Sequence, residues 1–155
     1  LVKACLTTVS FAVIVNGRPG RSFKPSRGLR QGDLLSPYLF LLVSEALSMN
    51  LTKAVNNGEI SGIRIARRCP TLSHLFFADD SLFFVKADVL NCRNIKGVLD
   101  SYCLASGQFI NYHKSCFYFS LNTPEEIRRS LCSLLSIDGV NNPGLYLGLP
   151  TIWGR

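Results

Sequence analysis

Two adjacent aspartates, Asp79 and Asp80, stand between two apolar runs in the segment HLFFADDSLFFV, which covers residues 74–85. An unpaired carboxylate is costly to bury, because it loses its hydration without gaining a partner. A tight turn resolves this conflict, since Asp and Ser favour turns and the flanking phenylalanines favour strands. The segment therefore predicts a β-hairpin that carries both carboxylates at its tip.

A hairpin tip with two carboxylates has two interpretations. Asp-Asp-Ser is a good turn sequence, and for an isolated pair this structural role is the simpler one. Two carboxylates are also hard oxygen ligands suited to Mg²⁺, with Mn²⁺ as an alternative. Paired metal ions roughly 4 Å apart can stabilise the attacking and leaving oxygens of a phosphoryl transfer. The second interpretation predicts catalytic and metal-binding roles for Asp79 and Asp80.

Three helices are predicted around this hairpin. The first begins at Ser36-Pro37, because Ser is a good N-cap and Pro a good first helical residue, and it carries an apolar stripe from Leu39 to Val55. The second begins near Asp88 and ends at Gly107. The third follows the capping box Thr123-Pro124-Glu125-Glu126. Each presents one apolar face that needs a covering partner.

Strands are predicted between these helices. SFAVIVNG reads as a strand that ends in a turn, and the basic, glycine-rich segment GRPGRSFKPSRGLRQGD after it reads as a loop. Further strand candidates are ISGIRIA, SCFYFSL and the turn-plus-strand tail GLYLGLPTIWGR. This mixture favours an α+β fold, in which a largely antiparallel sheet has helices packed on one face.

Composition narrows the class of protein further. Hydrophobic residues make up 47% of the 155 residues, which excludes a disordered chain. The net charge of +7 points toward a polyanionic partner, with an ordinary basic surface as the alternative. None of the six cysteines forms a CxxC pair, so a zinc site is not expected. The cysteines are instead expected to be buried thiols in a reducing intracellular compartment, either nuclear or cytoplasmic. The sequence shows no secretion signal, and its longest apolar run is too short to cross a membrane.

Four motifs resemble, in order and spacing, the palm motifs of reverse transcriptases, and the likeness is greatest to plant non-LTR (LINE-type) retrotransposons. They are SRGLRQGDLLSPYLF at 26–40, FADD at 77–80, ASGQFINYHKS at 105–115 and YLGLP at 146–150. The combination of RQGDxLSPYLF with FADD is far more specific than either motif alone. The resemblance covers nearly the whole chain and implies a palm-like domain. Leu34 departs from the family, which usually has proline there.

The resemblance implies a set of site residues. Asp79 and Asp80 would be catalytic metal ligands, and Lys114 would lie near the incoming triphosphate. Nucleotide and template contacts would come from Arg27, Gly28, Arg30, Gln31 and Gly32, and the primer grip from Tyr146, Leu147 and Gly148. Each of these also has a plain structural interpretation: a solvated basic loop for the arginines, a surface lysine for Lys114, and a core strand for the YLGLP motif.

The resemblance is to part of a polymerase. The family carries a third metal aspartate in a motif A of the form DxxxAYD, but the 32 residues before Asp33 contain no aspartate. We therefore expect residues 1–155 to be a partial palm domain, with the fingers and motif A missing upstream and the thumb missing downstream. The implied activity is RNA-directed DNA synthesis with an RNA template, a DNA primer and deoxynucleoside triphosphates, and the chain alone is expected to be inactive.

Two alternatives remain open at the level of sequence. The basic loop from Arg21 to Arg30 could hold RNA or a hybrid nonspecifically, which would make the chain a non-catalytic nucleic-acid-binding remnant of a retrotransposon. The chain could also be the product of a decayed gene that folds poorly, because a missing central strand would leave sheet edges and apolar surface exposed.

Overall fold

The computed structural model describes residues 3, 7–26 and 32–151. The chain divides into two compact units, Leu1–Glu45 and Ala46–Arg155, which are described separately below. Three α-helices and short strand pairs, most of them antiparallel, are found in the described part of the chain. The α+β prediction is therefore confirmed.

The first unit contains a hairpin of β1 (Phe11–Val15) and β2 (Arg18–Phe23), and helix α1 (Ser36–Asn56) begins in it and ends in the second unit. The remaining elements, all in the second unit, are β3 (His74–Phe77), β4 (Asp80–Phe83), α2 (Val89–Ser106), a 3₁₀ helix (Tyr112–Lys114), β5 (Cys116–Tyr118), α3 (Glu125–Leu135), β6 (Asp138–Val140), β7 (Leu145–Tyr146) and β8 (Leu149–Pro150).

The prediction of a loop directly after the first strand is wrong for residues 18–23, which form strand β2. Asn16 and Gly17 both have positive φ, at 49° and 75°, as a type I′ turn requires. Asn-Gly is the strongest short hairpin signal, and it outweighs the strand-breaking tendency of Pro19 and Gly20. Pro19 is tolerated because β1 and β2 form a two-stranded sheet, in which each is an edge strand.

The strands of the described residues form four two-stranded pairs rather than one continuous sheet. The pairs β1–β2, β3–β4 and β7–β8 are antiparallel, and β5–β6 is parallel. The parallel pair is possible because helix α3 connects its strands as a crossover. The predicted ISGIRIA strand is reduced to single bridges from Gly62 to Val85 and from Ile63 to Leu72.

The core of the second unit is a small apolar cluster built where α1, α2 and the intervening chain meet. Its buried members are Leu47, Leu51, Ala54, Ile60 and Ile95. The sequence predicts an apolar stripe along the whole of α1, but only the C-terminal half of the helix has buried residues. Leu42, in the N-terminal half, is 68% exposed. The stripe of α2 is confirmed, since Val98, Leu99 and Tyr102 pack against the cluster.

Helix α3 begins without the predicted capping box. Pro124 is its N-cap and no side chain caps it, because the Thr123 hydroxyl pairs with that of Ser120 instead. Arg128 donates from Nε to the Thr123 carbonyl and from a guanidinium nitrogen to the Ser120 carbonyl. These bonds tie the segment before α3 to the helix, but they do not cap its first N–H groups, because a guanidinium only donates.

The cysteines are free wherever the structure describes them, and they are less uniformly buried than the sequence predicts. Cys92 is buried in α2, whereas Cys69 and Cys116 are exposed. Burial raises the pKa of the Cys92 thiol, which makes it a poor nucleophile. No helix in the described ranges is long and apolar enough to cross a membrane.

Helix α2 begins at an N-cap of the predicted kind. The Asp88 carboxylate accepts from the backbone N–H of Asn91 at 2.8 Å and from its side-chain amide at 2.7 Å. The buried Asn91 also contacts a distant segment, because its side-chain carbonyl oxygen accepts from the backbone N–H of Ser61. The hydrogen bond from the Asn91 backbone is the largest cause that lowers the Asp88 pKa. The carboxylate thus ties the start of α2 to the chain that leaves the core at Ile60.

Replacing Asp88 tests this link. We expect Asp88→Ala to lower the free energy of unfolding by about 1–2 kcal/mol, because it removes the cap and leaves the buried Asn91 amide without its acceptor. Since folding lowers the Asp88 pKa, the charged carboxylate stabilises the protein above the ordinary value of 3.8, and this stabilisation fades as pH falls further. Urea unfolding at pH 6 and at pH 3 measures both effects.

Asp88→Asn is the matched variant for the charge, because asparagine keeps the capping oxygen but loses the ionisation and the second oxygen, which accepts from the Asn91 side chain. Only the charge makes the difference from the wild type depend on pH. The wild type should exceed this variant in stability at pH 6, and the difference should shrink at pH 3. A difference that is the same at both pH values, or that grows in acid, would contradict the assigned role of the charge.

Candidate active-site hairpin

The predicted hairpin at the aspartate pair is present as β3 and β4. Its register pairs His74 with Phe83 at the open end and Phe77 with Asp80 next to the turn. Ala78 and Asp79 form the two-residue loop, and Ala78 takes a positive φ of 49°. The small Ala78 side chain limits the strain of that conformation. Asp79 therefore lies in the turn itself, and Asp80 is the first residue of the returning strand.

The two faces of this hairpin differ in their surroundings. Phe76 and Phe83 pack against the apolar cluster, with their ring centroids 6.1 Å apart in an edge-to-face arrangement. Successive side chains alternate between faces and paired residues share a face, so Asp80 lies with Phe77 and Leu75 on the side away from the cluster. Phe77 is 58% exposed there. One face thus anchors the hairpin, and the other presents a carboxylate and apolar side chains to solvent.

A hydrogen-bonded histidine fixes the base of the hairpin. The Nε2 atom of His74 lies 2.9 Å from the Ser48 hydroxyl of α1, and its Nδ1 atom lies 2.8 Å from the Ser73 hydroxyl. The ring also contacts Phe76, with centroids 4.9 Å apart. Because Ser48 is 26 positions away in sequence, no local pattern indicates this contact. It joins the strand that leads to the aspartates directly to α1.

Close backbone packing supports the same region. Gly62 bridges to Val85 just beyond β4, and a Cβ atom on Gly62 would lie 2.6 Å from the Leu72 carbonyl oxygen. Any larger residue would push the two segments apart. The hairpin is therefore held from three sides: the apolar cluster, the His74 hydrogen bonds and the Gly62 bridge.

The carboxylates at the tip are exposed and have no salt-bridge partner in the described part of the chain. Some other acidic side chains are engaged: Asp100 lies 2.6 Å from Lys96 Nζ, and Asp33 accepts from the backbone N–H of Leu35. Adjacent carboxylates without a cationic partner are suited to a divalent ion. Across the described residues, however, no group of three or more His, Cys, Asp or Glu residues could hold a metal ion. Asp79 and Asp80 thus fit a part of a metal site.

The structure places Lys114 at the end of the 3₁₀ helix, where the side chain is exposed. The Asn111 side chain caps this short helix by accepting from the Lys114 backbone N–H. No hydrogen bond or ion pair found in the described ranges joins Lys114 to the hairpin tip. The predicted role beside a triphosphate therefore stays a prediction.

The YLGLP motif forms a tight hairpin rather than the predicted turn followed by one strand. Tyr146 ends β7, and Leu147 and Gly148 occupy the turn with φ values of 53° and 80°. These values suit a type I′ turn, in which Gly148 is unstrained and Leu147 is not. Tyr146 is half-buried while Leu147 is 49% exposed. Their assignment as a primer grip is not tested by this arrangement.

The predicted nucleotide- and template-binding loop falls largely outside the described residues. Arg27, Gly28, Arg30 and Gln31 are among the positions that the structure does not describe. Gly32 is described and has a φ of 81°, a conformation that favours glycine. The nucleotide- and template-binding role of this loop therefore stays a prediction.

Comparison with known families agrees with the hairpin and its motifs. The family model "Reverse transcriptase (RNA-dependent DNA polymerase)" matches residues 1–151. The chain belongs to the reverse transcriptase family. A shorter stretch of 68 residues is 52% identical to an uncharacterized mitochondrial protein of Arabidopsis thaliana, and it covers 44% of this chain and 56% of that protein. This reverse transcriptase chain thus matches just over half the length of that curated relative.

Family membership confirms the resemblance that the motifs predicted. It also gives the aspartate hairpin a functional context, because a reverse transcriptase acts on nucleic acid and nucleotides and generally needs divalent metal ions. The family match does not decide the LINE-type subclass, the roles of individual residues or the identity of the metal. These stay proposals.

Proposed function

We propose that this chain is a piece of a LINE-type RNA-directed DNA polymerase, a partial palm domain in which Asp79 and Asp80 are metal ligands. The observation that carries the proposal is the β3–β4 hairpin, whose tip holds two exposed carboxylates with no salt-bridge partner among residues 3, 7–26 and 32–151. The chain also matches the reverse transcriptase family over residues 1–151. A turn with a purely structural role needs no pair of like charges at adjacent positions, because such charges repel each other.

The proposed chemistry is template-directed nucleotidyl transfer. The 3′-hydroxyl of a primer attacks the α-phosphate of a deoxynucleoside triphosphate, and pyrophosphate leaves. A divalent ion, Mg²⁺ or Mn²⁺, would neutralise charge that develops on the phosphate oxygens. In this chain, Asp79 and Asp80 would bind that ion, and the rigid packing of Phe76 and Phe83 would keep their backbone in place.

The other predicted residues would serve the same reaction. Lys114 would neutralise the triphosphate or donate a proton to pyrophosphate. The segment 27–32 would lie against the template and nascent base pair, with Arg27 and Arg30 on phosphates. Tyr146, Leu147 and Gly148 would support the primer end. Exposure of Lys114 and the tight turn at Leu147-Gly148 are compatible with these roles.

The chain alone should lack activity, because a two-metal site needs more than two carboxylates. Residues 1–32 contain no aspartate that could act as the third ligand. The missing carboxylate would come from a part of the polymerase upstream of residue 1.

Primer extension by the purified 155-residue chain tests this proposal. With an RNA template, a labelled DNA primer, all four deoxynucleotides and either Mg²⁺ or Mn²⁺, we expect no product above background. Mg²⁺-dependent extension that disappears in Asp79→Asn would contradict the inactivity of the isolated chain and would establish the polymerase site directly. Extension that is unchanged in Asp79→Asn would contradict the role assigned to the hairpin.

A second function, nonspecific nucleic-acid binding, is favoured by a separate observation. The β1–β2 hairpin is exposed along its whole length and carries Arg18 and Arg21, with Lys24 just after it. Such a surface can bind a polyanion whether or not the polymerase site is complete.

A further inference from the structure

The β1–β2 hairpin contains an irregularity that changes where its side chains point. Ala12 pairs with Ser22 and Ile14 pairs with Pro19, so β1 has one residue between these pairs where β2 has two. Val13 therefore faces both Gly20 and Arg21 across a β-bulge. A Cβ atom on Gly20 would lie 3.2 Å from the Val13 carbonyl oxygen, a tight contact that a larger residue could make only if the backbone shifted by a few tenths of an ångström.

The bulge brings both arginines of β2 to one face. In a regular strand, residues three apart point to opposite sides, so Arg18 and Arg21 would be separated. With the extra residue, Arg18 pairs with Val15 and Arg21 lies opposite Val13, and both of these valines share a face. Two positive charges therefore stand on the same side of the ribbon.

Two aromatic rings lie on that face as well. Phe11 pairs directly with Phe23, and their ring centroids are 6.0 Å apart. Phe23 is 52% exposed and Phe11 36% exposed, so a part of each ring remains open to solvent. The opposite face is different in kind, since it carries Ala12, Ile14, Pro19 and Ser22 and no charged side chain. The hairpin thus has one face that carries both rings and both arginines beside the exposed Val13 and Val15, and one uncharged face of small and apolar side chains.

We propose that the face formed by Phe11, Phe23, Arg18 and Arg21 is a platform for single-stranded nucleic acid, with bases stacked on the rings and phosphates paired with the arginines. Charge complementarity selects this occupant, because a second copy of the chain would bring like charges together, whereas a single strand offers bases and phosphates. The platform deepens the nucleic-acid-binding function proposed above and rests on it, but it needs neither Asp79 nor Asp80.

Fluorescence anisotropy of the full 155-residue chain with a labelled 12-nucleotide single-stranded RNA tests the platform. Arg18→Gln combined with Arg21→Gln should weaken binding at least tenfold at low salt. It should also flatten the plot of log affinity against log salt by about 1.4, since each phosphate contact on a single strand contributes about 0.7. Arg67→Gln combined with Arg68→Gln is the matched control, because it removes the same charge from an exposed loop.

The aromatic half of the platform has its own signature. Phe23→Leu should weaken binding roughly 5- to 100-fold with an unchanged salt slope, since it removes a stacking surface and no charge. Phe23→Trp keeps the ring and should bind at least as tightly as the wild type. This pair separates stacking from hairpin folding, because both replacements are large and apolar. A single-stranded DNA of the same sequence should bind similarly, because neither contact involves the 2′-hydroxyl.

Three outcomes would overturn the platform: equal weakening by the two double-arginine variants, an unchanged affinity in Phe23→Leu, or concentration-dependent dimerisation that Phe23→Leu abolishes without any RNA binding. The last result would mean that a second copy covers this face. The polymerase proposal is distinguishable in every case, because metal binding at Asp79 and Asp80 is measured without RNA and should be the same in the hairpin variants.

Discussion

Leu51→Ala should lower the free energy of unfolding by about 3 kcal/mol, within the 2–5 kcal/mol range of buried leucine truncations. Leu51 is 1% exposed and lies at the centre of the apolar cluster that joins α1 to Ile60 and Ile95. The cluster is small, so few neighbours can move in to fill the cavity. A loss of this size is a large part of the total stability of an ordinary domain.

Leu104→Ala is the matched control for this change. It removes the same atoms from a helix, but Leu104 is 89% exposed on α2, so its effect should stay within about 0.5 kcal/mol. Urea unfolding followed by far-UV circular dichroism measures both variants. Equal effects would show that the apolar cluster is not the core of the second unit. A wild type that unfolds without a cooperative transition would support the alternative that the chain is the poorly folded product of a decayed gene.

The cavity left by Leu51→Ala should also loosen the hairpin that carries Asp79 and Asp80. Phe76 and Phe83 pack against the same cluster, so a cavity there loosens the strands that carry the tip. Hydrogen exchange of the β3–β4 amides should accelerate more in Leu51→Ala than that of β7–β8. Uniform acceleration would mean that only global stability had changed.

Asp79→Asn combined with Asp80→Asn should weaken Mn²⁺ binding by at least tenfold. Two carboxylates without a third ligand give a weak site, with a dissociation constant on the order of 10⁻³ M. The double variant keeps the shape of the turn, since Asn is also favoured in turns, and removes only the charge that attracts the cation. Titration of free Mn²⁺ by electron paramagnetic resonance measures the change.

Asp100→Asn combined with Glu126→Gln controls for net charge. Both side chains are exposed, and the ion pair of Asp100 with Lys96 lies on a solvated helix face, where such pairs contribute little to stability. This variant changes the overall charge by the same amount and should leave the Mn²⁺ affinity within about twofold of the wild type, because surface charges at a distance are screened. Equal losses in the two double variants would mean that the protein attracts Mn²⁺ only through its overall charge.

Local signals in the sequence predicted most of the elements that position the candidate site. The apolar runs on both sides of Asp79-Asp80 predicted β3 and β4, because a two-residue turn between strand-forming residues is specified within a few positions. Asp88 and Gly107 predicted both ends of α2 for the same reason, since caps depend on the residue itself.

Features that depend on distant residues escaped prediction. The Ser48–His74 contact joins residues far apart in sequence. The three-residue strands β5 and β6, Cys-Phe-Tyr and Asp-Gly-Val, are too short to reveal that they pair in parallel. The β2 strand was missed for a different reason. Its Gly20 and Pro19 indicate a loop, although Asn16-Gly17 just before it is a strong hairpin signal. Arg18 and Phe23 were therefore not recognised as partners of Phe11 on one face.

The candidate site was predicted in part. The aspartate hairpin has the predicted shape, whereas the roles of Lys114, Tyr146 and Gln31 come from family resemblance and stay predictions. A catalytic site assembled from separate motifs depends on long-range placement, which single-sequence patterns do not encode.

The most direct measurement of the central claim is a map of Mn²⁺-induced line broadening in the amide NMR spectrum of the isotopically labelled chain. If the hairpin tip is the metal-binding part of a reverse transcriptase, residues 77–82 should broaden first at low Mn²⁺, and this local effect should vanish when Asp79 and Asp80 are both replaced by asparagine. Broadening that begins elsewhere, or that spreads evenly over the exposed carboxylates, would contradict the assignment.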